Sequence, residues 1–136
     1  LGAAPDGKFH LIIVDAFSSD VIPIHLLTRE ALALYVQKLR PDGVILFHIS
    51  NRHFDLKPIL ANLSLDAGLI CLHRDGTYVP PTPENKGKDP SEWIVIARRD
   101  ADVGAIAQLA RCHRFREQTG DVVWTDDLAS LLDVLF

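Results

Sequence analysis

Two carboxylates flank a short polar loop near the start of the chain. Asp15 directly follows the apolar run 9–14, and Asp20 lies beyond two serines in the same loop. A carboxylate at the mouth of a sheet can hold a cationic substrate, and it can accept a proton from an attacking amine. Aspartates also cap helices and close turns, and this is their commoner role in loops. The pair therefore marks a candidate site for acid–base chemistry on an amine, with a structural role as the alternative.

A second polar group belongs to the next apolar run of the chain. His48 lies inside that run, and Asn51, Arg52 and His53 come soon after it. If both runs are strands of one parallel sheet, these side chains reach the same edge of the sheet as Asp15, where ligands bind in open α/β folds. A histidine within an apolar strand is more often a hydrogen-bonded core residue than a ligand. Asn51 is better placed to face a crevice and is therefore a candidate substrate contact.

Several kinds of chemistry lack their sequence signatures. The histidines at 25, 48 and 53 do not have the spacing of a zinc site, and the two cysteines lie far from them, so no metal site is predicted. There is no nucleophile elbow, and the eight glycines never lie two apart, so neither a G-x-G turn nor a Walker loop is present. Without such a turn, we expect this chain to bind no cofactor.

Composition narrows the class of protein further. A net charge of −4 gives no electrostatic case for nucleic-acid binding, and the five arginines between positions 98 and 116 are interpreted as a solvated face. Two cysteines cannot form a disulfide framework and indicate a reducing compartment. No apolar run reaches the roughly 18 residues of a membrane-spanning helix. We therefore expect a single domain, residues 1–136, in the cytoplasm.

Alternating apolar runs and amphipathic stretches must position these groups. Strands are predicted where apolar residues run together, and helices where they recur at helical spacing after a capping residue. The first three strands alternate with helices, which implies a parallel sheet, whereas the fourth follows the third without a helix and is expected to run antiparallel. The predicted elements are a strand at 9–14, a helix from Thr28 with Arg40 near its end and Pro41-Asp42-Gly43 as its stop, a strand at 44–49, a helix from Asp55 to Gly68, strands at 69–73 and 93–97, a helix at about 102–110 and a final helix capped by Thr125.

Two features of this layout concern mobility and partners. The segment 76–91 carries four prolines among polar residues and is long for a connection, so a flexible loop is expected, either a lid or partly disordered. The first strand is apolar on both faces, which predicts that both are covered. Nothing precedes it that could cover its outer edge, so that edge is expected to pair with a second copy of the chain or with residues left out of it. We therefore expect a homo-oligomer that forms through the edge of the first strand.

Several segments, in order along the chain, resemble the spermidine synthase-like (polyamine aminopropyltransferase) family. They are LIIVDAFSSDVIP at 11–23, LLT at 26–28, PDGV at 41–44, HISNR at 48–52, WIVIA at 93–97 and WTDD at 124–127. The resemblance implies the C-terminal half of a class I, S-adenosylmethionine-dependent methyltransferase-like Rossmann domain. In this α/β fold the chain supplies strands 4 to 7 with flanking helices, and its last strand is antiparallel. Bacterial members are often fused to membrane segments, so membrane association of the parent protein is an expectation.

The resemblance also implies roles for individual residues. Asp15 matches the family's proton-accepting aspartate, and Asp20 matches a second acidic residue that contacts the amine or the nucleoside. Asn51 and Tyr78 are expected as further substrate contacts. The implied reaction moves an aminopropyl group from decarboxylated S-adenosylmethionine, the co-substrate of the parent, to a polyamine such as putrescine. An amine with a pKa of about 10 is protonated at neutral pH, so its proton must be removed before it attacks.

The family's glycine-rich nucleoside loop has no counterpart in this chain. The resemblance therefore implies one wall of the ligand crevice, and we expect the chain alone to be inactive. Two alternatives stay open. One is a non-catalytic oligomerisation or interaction domain, which predicts indifference to substitution of Asp15 and Asp20 and a stable dimer. The other is a relative of the S-adenosylmethionine-dependent methyltransferases.

Overall fold

A single mixed sheet organises the chain. The structure is a computed structural model that describes residues 1–15, 23–51, 53–118, 120 and 122–129. Within these residues the five strands lie side by side in the order β1-β2-β4-β3-β5. The elements are β1 Phe9–Val14, α1 Arg29–Lys38, β2 Leu39–His48, α2 Lys57–Asp66, β3 Ile70–Gly76, β4 Ser91–Ala97, α3 Asp100–Val103 and β5 Cys112–Phe115, with 3-10 turns at Ile24–Leu26, Pro83–Asn85 and Gly104–Gln108.

The sheet combines one parallel pair with three antiparallel pairs. β1 and β2 are parallel, because α1 carries the chain back between them. β4 returns from β3 without a helix and inserts between β2 and β3, antiparallel to both. The α/β class and the antiparallel course of the fourth predicted strand are thereby confirmed. The expectation that the earlier strands form one contiguous parallel sheet was too broad, since β4 separates β3 from β2.

The start of β2 differs from the sequence prediction. Phe9 of β1 pairs with Leu39, but Leu11 pairs with Val44, so residues 40–43 form a bulge within the strand. The predicted helix stop at Pro41-Asp42-Gly43 is therefore part of β2, and Arg40 is not helical. A Cβ on Gly43 would lie 2.6 Å from the Leu39 side chain and 3.0 Å from the carbonyl oxygen of His10. The bulge thus depends on a residue without a side chain at this position.

The segment after β4 also differs. The predicted helix at 102–110 is reduced to α3 and the following 3-10 turn, which meet at Gly104 with a φ of +45°. The segment after this turn contains β5, for which no strand was predicted and which pairs with the outer edge of β3. Its sequence, CHRF, lacks the apolar run of an interior strand because an edge strand with half-exposed side chains needs none.

Thr28 caps α1 as predicted. Its hydroxyl oxygen accepts the backbone N–H of Ala31 at 3.2 Å, and its O–H group donates to the carboxylate of Asp126 at 2.6 Å. Trp124, two residues before Asp126, is fully buried, and its carbonyl accepts the backbone N–H of Arg29 at 2.8 Å. Residues 124–126 therefore close over the first turn of α1.

The predicted final helix does not begin at Thr125. Residues 125–128 form a turn in which Thr125 and Leu128 exchange backbone hydrogen bonds of 3.0 and 3.1 Å. The apolar stripe predicted for this helix comprises Leu128, which is 74% exposed in the turn, and Leu131, Leu132 and Leu135, which lie outside the described residues.

The two faces of the sheet are covered unequally. We call the face under α1 and α2 the first face; it carries the main core, to which β1 contributes Val14 and the partly buried Ile12. The opposite, second face has a smaller core of five buried residues, Ile70, Leu72, Val95, Ala97 and Val103. Side chains alternate along a strand, so Leu11 and Ile13 lie on the second face, where they are 48% and 55% exposed. Burial of both faces of β1 was therefore a wrong expectation within the described chain.

Gly76 tests the packing at the end of the β3–β4 pair. A Cβ at this position would collide with the carbonyl oxygen of Ser91, its partner in β4. We expect Gly76→Ala to lower the free energy of unfolding by about 1–3 kcal/mol, since the paired backbones must separate. Urea unfolding measures the change. The control Gly2→Ala places its Cβ in open space and should leave the midpoint unchanged; equal midpoints for both variants would contradict this packing.

Candidate active site

The ends of four strands place a row of side chains at one edge of the second face. His48 ends β2 and pairs with Trp93 near the start of the antiparallel β4, and Trp93 pairs with Arg74 near the end of β3. Asp15 directly follows β1, whose last residue Val14 pairs with Phe47 of β2. The parallel pairing therefore brings Asp15 beside His48. We call Asp15, His48, Trp93 and Arg74 the edge row.

Asp15 and His48 form the central contact of the edge row. The Nδ1 atom of His48 lies 2.8 Å from the Oδ1 atom of Asp15. The side chain of Asp15 is 57% exposed, whereas that of His48 is 19% exposed. The contact thus joins a carboxylate open to solvent to an imidazole held within the sheet. Sequence reasoning treated His48 as a core histidine, and no local pattern could reveal that its partner is Asp15.

Trp93 supports His48 from the neighbouring strand. The two rings stack with their centroids 4.6 Å apart and their planes at 28°. The indole N–H of Trp93 donates to the hydroxyl of Ser91 at 3.2 Å. The imidazole is therefore restrained in its plane by stacking and at its edge by the carboxylate.

Asn51 lies in the loop that follows β2 at the same edge. Its side-chain oxygen accepts the backbone N–H groups of His53 and Phe54, at 2.8 and 3.1 Å. This geometry is that of an Asx turn, which directs the chain toward α2. The amide oxygen of Asn51 therefore shapes the loop, whatever else the side chain contacts. Asp20 and Arg52 lie outside the described residues.

Tyr78 follows β3, so β2 and β4 separate its strand from β1. Its side chain is exposed, and the guanidinium of Arg111 lies over the ring, 6.0 Å from the centroid. Tyr78 lines a cleft of about 320 Å³ that includes Arg74, Lys88 and Ser91. The cleft adjoins the Arg74 end of the edge row rather than the Asp15 end.

Asp75 fixes the chain that leads to Tyr78. Its carboxylate accepts the hydroxyl of Thr77 at 2.6 Å and the backbone N–H of Thr77 at 3.0 Å, and it pairs with Arg111. These contacts, with the Thr77 hydroxyl the largest cause, hold the pKa of Asp75 well below its usual range. Asp75 is therefore a structural carboxylate, in contrast to the exposed Asp15.

Neither the two thiols nor any cluster of metal-ligating side chains forms a further candidate site in the described part of the chain. Burial raises the pKa of the Cys71 thiol to about 12 and also raises that of Cys112, so thiolate chemistry is disfavoured at both. Among residues 1–15, 23–51, 53–118, 120 and 122–129, no group of three or more His, Cys, Asp or Glu side chains is arranged to hold a metal ion. None of the helices described here has the length and apolar character that crossing a membrane requires.

Comparison with known proteins supports the fold. No family model matches the sequence, and no curated protein matches it. The structure resembles that of a probable spermidine synthase from Corynebacterium glutamicum, with a TM-score of 0.59 and 17% sequence identity. The alignment covers 96% of this chain and 52% of that protein. The chain thus has a spermidine synthase-like, Rossmann-like fold and spans about half the length of this structural neighbour.

The contacts of Asp75 predict a pH-dependent contribution to stability. Because folding lowers the pKa of Asp75, its contribution is present above the ordinary aspartate pKa of about 3.9 and is lost as the pH falls through the folded value. We expect Asp75→Asn to be less stable than the wild type at pH 7, with a gap that narrows as the pH falls below about 4 and closes only below the folded pKa. Chemical unfolding across this range measures the gap. Asp127→Asn removes the same charge from an exposed turn and should show a much smaller gap; equal behaviour of the two variants would refute the role of Asp75.

Proposed function

We propose that this chain is the amine-binding part of a polyamine aminopropyltransferase, with Asp15 as the proton acceptor. The observation that carries the proposal is the exposed carboxylate of Asp15 at the carboxyl end of β1, held through one oxygen by His48. The likeness of the fold to a probable spermidine synthase supports the same assignment. The proposed co-substrate is decarboxylated S-adenosylmethionine, and the proposed acceptor is a polyamine such as putrescine.

The carboxylate has two tasks in this reaction. It attracts the ammonium form of the acceptor, and it removes one proton from the nitrogen before the attack, which leaves a neutral amine with a lone pair. A C–N bond then forms at the carbon next to the sulfonium, the C–S bond breaks, and its electron pair stays on sulfur as a neutral thioether. The proton ends on Asp15 and passes to solvent. An exposed carboxylate is suited to each of these steps.

Binding of the nucleoside part of the proposed co-substrate requires residues that this sequence does not contain. The chain has no G-x-G turn, and it spans about half of its structural neighbour. We therefore propose that a nucleoside-binding half completes the crevice in the parent protein and that residues 1–136 alone are inactive. Asp20, Asn51 and Tyr78 remain proposed substrate contacts. Tyr78 follows β3, which β2 and β4 separate from β1.

The role of Asp15 is tested in the polypeptide encoded in frame with this sequence. Asp15→Asn keeps the shape of the side chain but cannot accept the proton, so we expect kcat with putrescine to fall by about 10²–10⁴-fold. Transfer is measured as spermidine formed from decarboxylated S-adenosylmethionine. Asp42→Asn removes an exposed carboxylate from the bulge at the opposite end of β2 and serves as the control. Equal turnover by the two variants, both folded, would exclude Asp15 as the proton acceptor.

A second candidate function, self-association through β1, is favoured by a separate observation. In the part of the chain that the structure describes, β1 pairs with β2 alone, and it presents Leu11 and Ile13 to solvent. An apolar edge strand can pair with the same strand of a second copy and bury these side chains. We propose such a homodimer for the isolated 136-residue chain.

This association predicts a specific loss on charge substitution. Ile13→Glu should weaken the dimer at least about tenfold, because the carboxylate would have to be buried in the new interface. Leu109→Glu, at a leucine that is also half exposed but lies before β5 at the other edge of the sheet, should leave it intact. Light scattering over a concentration series measures both. A monomeric wild-type chain, or equal effects of the two substitutions, would exclude the β1 edge as the interface.

A further inference from the structure

We infer that His48 is a positioning residue that orients the proton-accepting carboxylate of Asp15, and that Trp93 holds His48 in the required plane. This inference rests on the proposed function for its catalytic consequence. Its structural part, the state and orientation of the imidazole, can be tested without any activity.

Asp15 and His48 differ in how firmly the fold holds them. Asp15 stands just beyond the end of β1 with an exposed side chain, so a lone carboxylate there would sample several rotamers. His48 is part of β2 and mostly buried, and its Nδ1 atom lies 2.8 Å from Oδ1 of Asp15. Reduced access to water strengthens such a hydrogen bond. The strand residue therefore restrains the loop residue.

Trp93 restrains His48. Its ring stacks on Trp93, which pairs with it in register on β4. The Trp93 indole is in turn held by the hydroxyl of Ser91. A continuous set of contacts thus runs from the start of β4 to Asp15, and each member is fixed by a neighbour on the adjoining strand or on its own strand. The stack limits rotation of the imidazole away from the carboxylate.

The carboxylate of Asp15 determines which ring nitrogen of His48 carries the proton. An ionised carboxylate only accepts hydrogen bonds, so Nδ1 of His48 must donate. With Oδ1 engaged by this N–H, the other oxygen of Asp15 is the one that receives the proton of the amine. His48 keeps its Nδ1 proton throughout and does not carry the transferred proton. Its task is to hold the carboxylate in the reactive orientation.

The tautomer is tested by long-range ¹H–¹⁵N correlation spectra of the labelled 136-residue chain near pH 8. We expect His48 to carry its proton on Nδ1, and we expect Asp15→Ala to shift it toward the Nε2–H form that free imidazole favours in water. His73 is an internal control, because its Nε2 atom lies 3.0 Å from Glu92 and should carry the proton there in both proteins. An Nε2–H tautomer of His48 in the wild type would overturn the inference.

Two substitutions separate the hydrogen bond from the stack in the polypeptide encoded in frame with this sequence. His48→Phe keeps a ring against Trp93 but removes the donor, so kcat should fall roughly tenfold to a hundredfold with little change in KM for putrescine. His48→Asn restores a donor near the position of Nδ1 but not the ring that stacks on Trp93, so it should recover part of the loss. Thermal unfolding confirms that each variant is folded.

The possible outcomes of the two experiments distinguish the two proposals. Wild-type kcat in His48→Phe, or a loss that His48→Asn does not recover although it is folded, would overturn the positioning role. If the wild-type polypeptide transfers no aminopropyl group, the proposed function fails, and the tautomer spectra still decide whether His48 donates to Asp15.

Discussion

The parallel pairing of β1 with β2 is the constraint on which the rest of the site depends. Parallel strands end at the same edge of a sheet, so the residue after β1 meets the last residue of β2. The bulge at residues 40–43 sets the register, and Gly43 permits the close approach that the bulge needs. From this pairing follow the contact between Asp15 and His48 and, through the antiparallel β4, the stack on Trp93.

Because the two faces of the sheet are covered unequally, part of the second face stays open for the proposed reaction. α1, α2 and residues 122–129 bury the first face, and α3 packs on the second face against β2 and β4. The part of the second face near β1 carries both the open carboxylate of Asp15 and the exposed side chains of Leu11 and Ile13. The proposed substrate binding and the proposed association with another polypeptide would therefore use neighbouring surfaces. A partner that covers this region must leave Asp15 accessible, or it must contribute to the same crevice.

Asp75 and Asp15 have different surroundings. Asp75 is engaged by Thr77 and Arg111, these contacts lower its pKa, and its side chain is only 22% exposed. Asp75 therefore fixes a loop and has little capacity left for a ligand. Asp15 has a histidine on one oxygen and remains more than half exposed. That contrast, rather than the mere presence of an aspartate after a strand, distinguishes it as the candidate for proton transfer.

The sequence by itself determined the features that depend on local signals. The apolar run 9–14 predicted β1, Thr28 predicted the start of α1, and the position of Asp15 directly after the apolar run predicted that it lies at the carboxyl end of β1. Only the tertiary structure decided the features that depend on register between distant segments: the bulge that opens β2, β5 as an edge strand, and the partners of His48. Asp15 and His48 are 33 residues apart, and Trp93 is brought in by a strand that runs the other way. Hydrophobic periodicity fixes the face of a residue within its own element, but cross-strand neighbours follow from pairing, which no local pattern encodes.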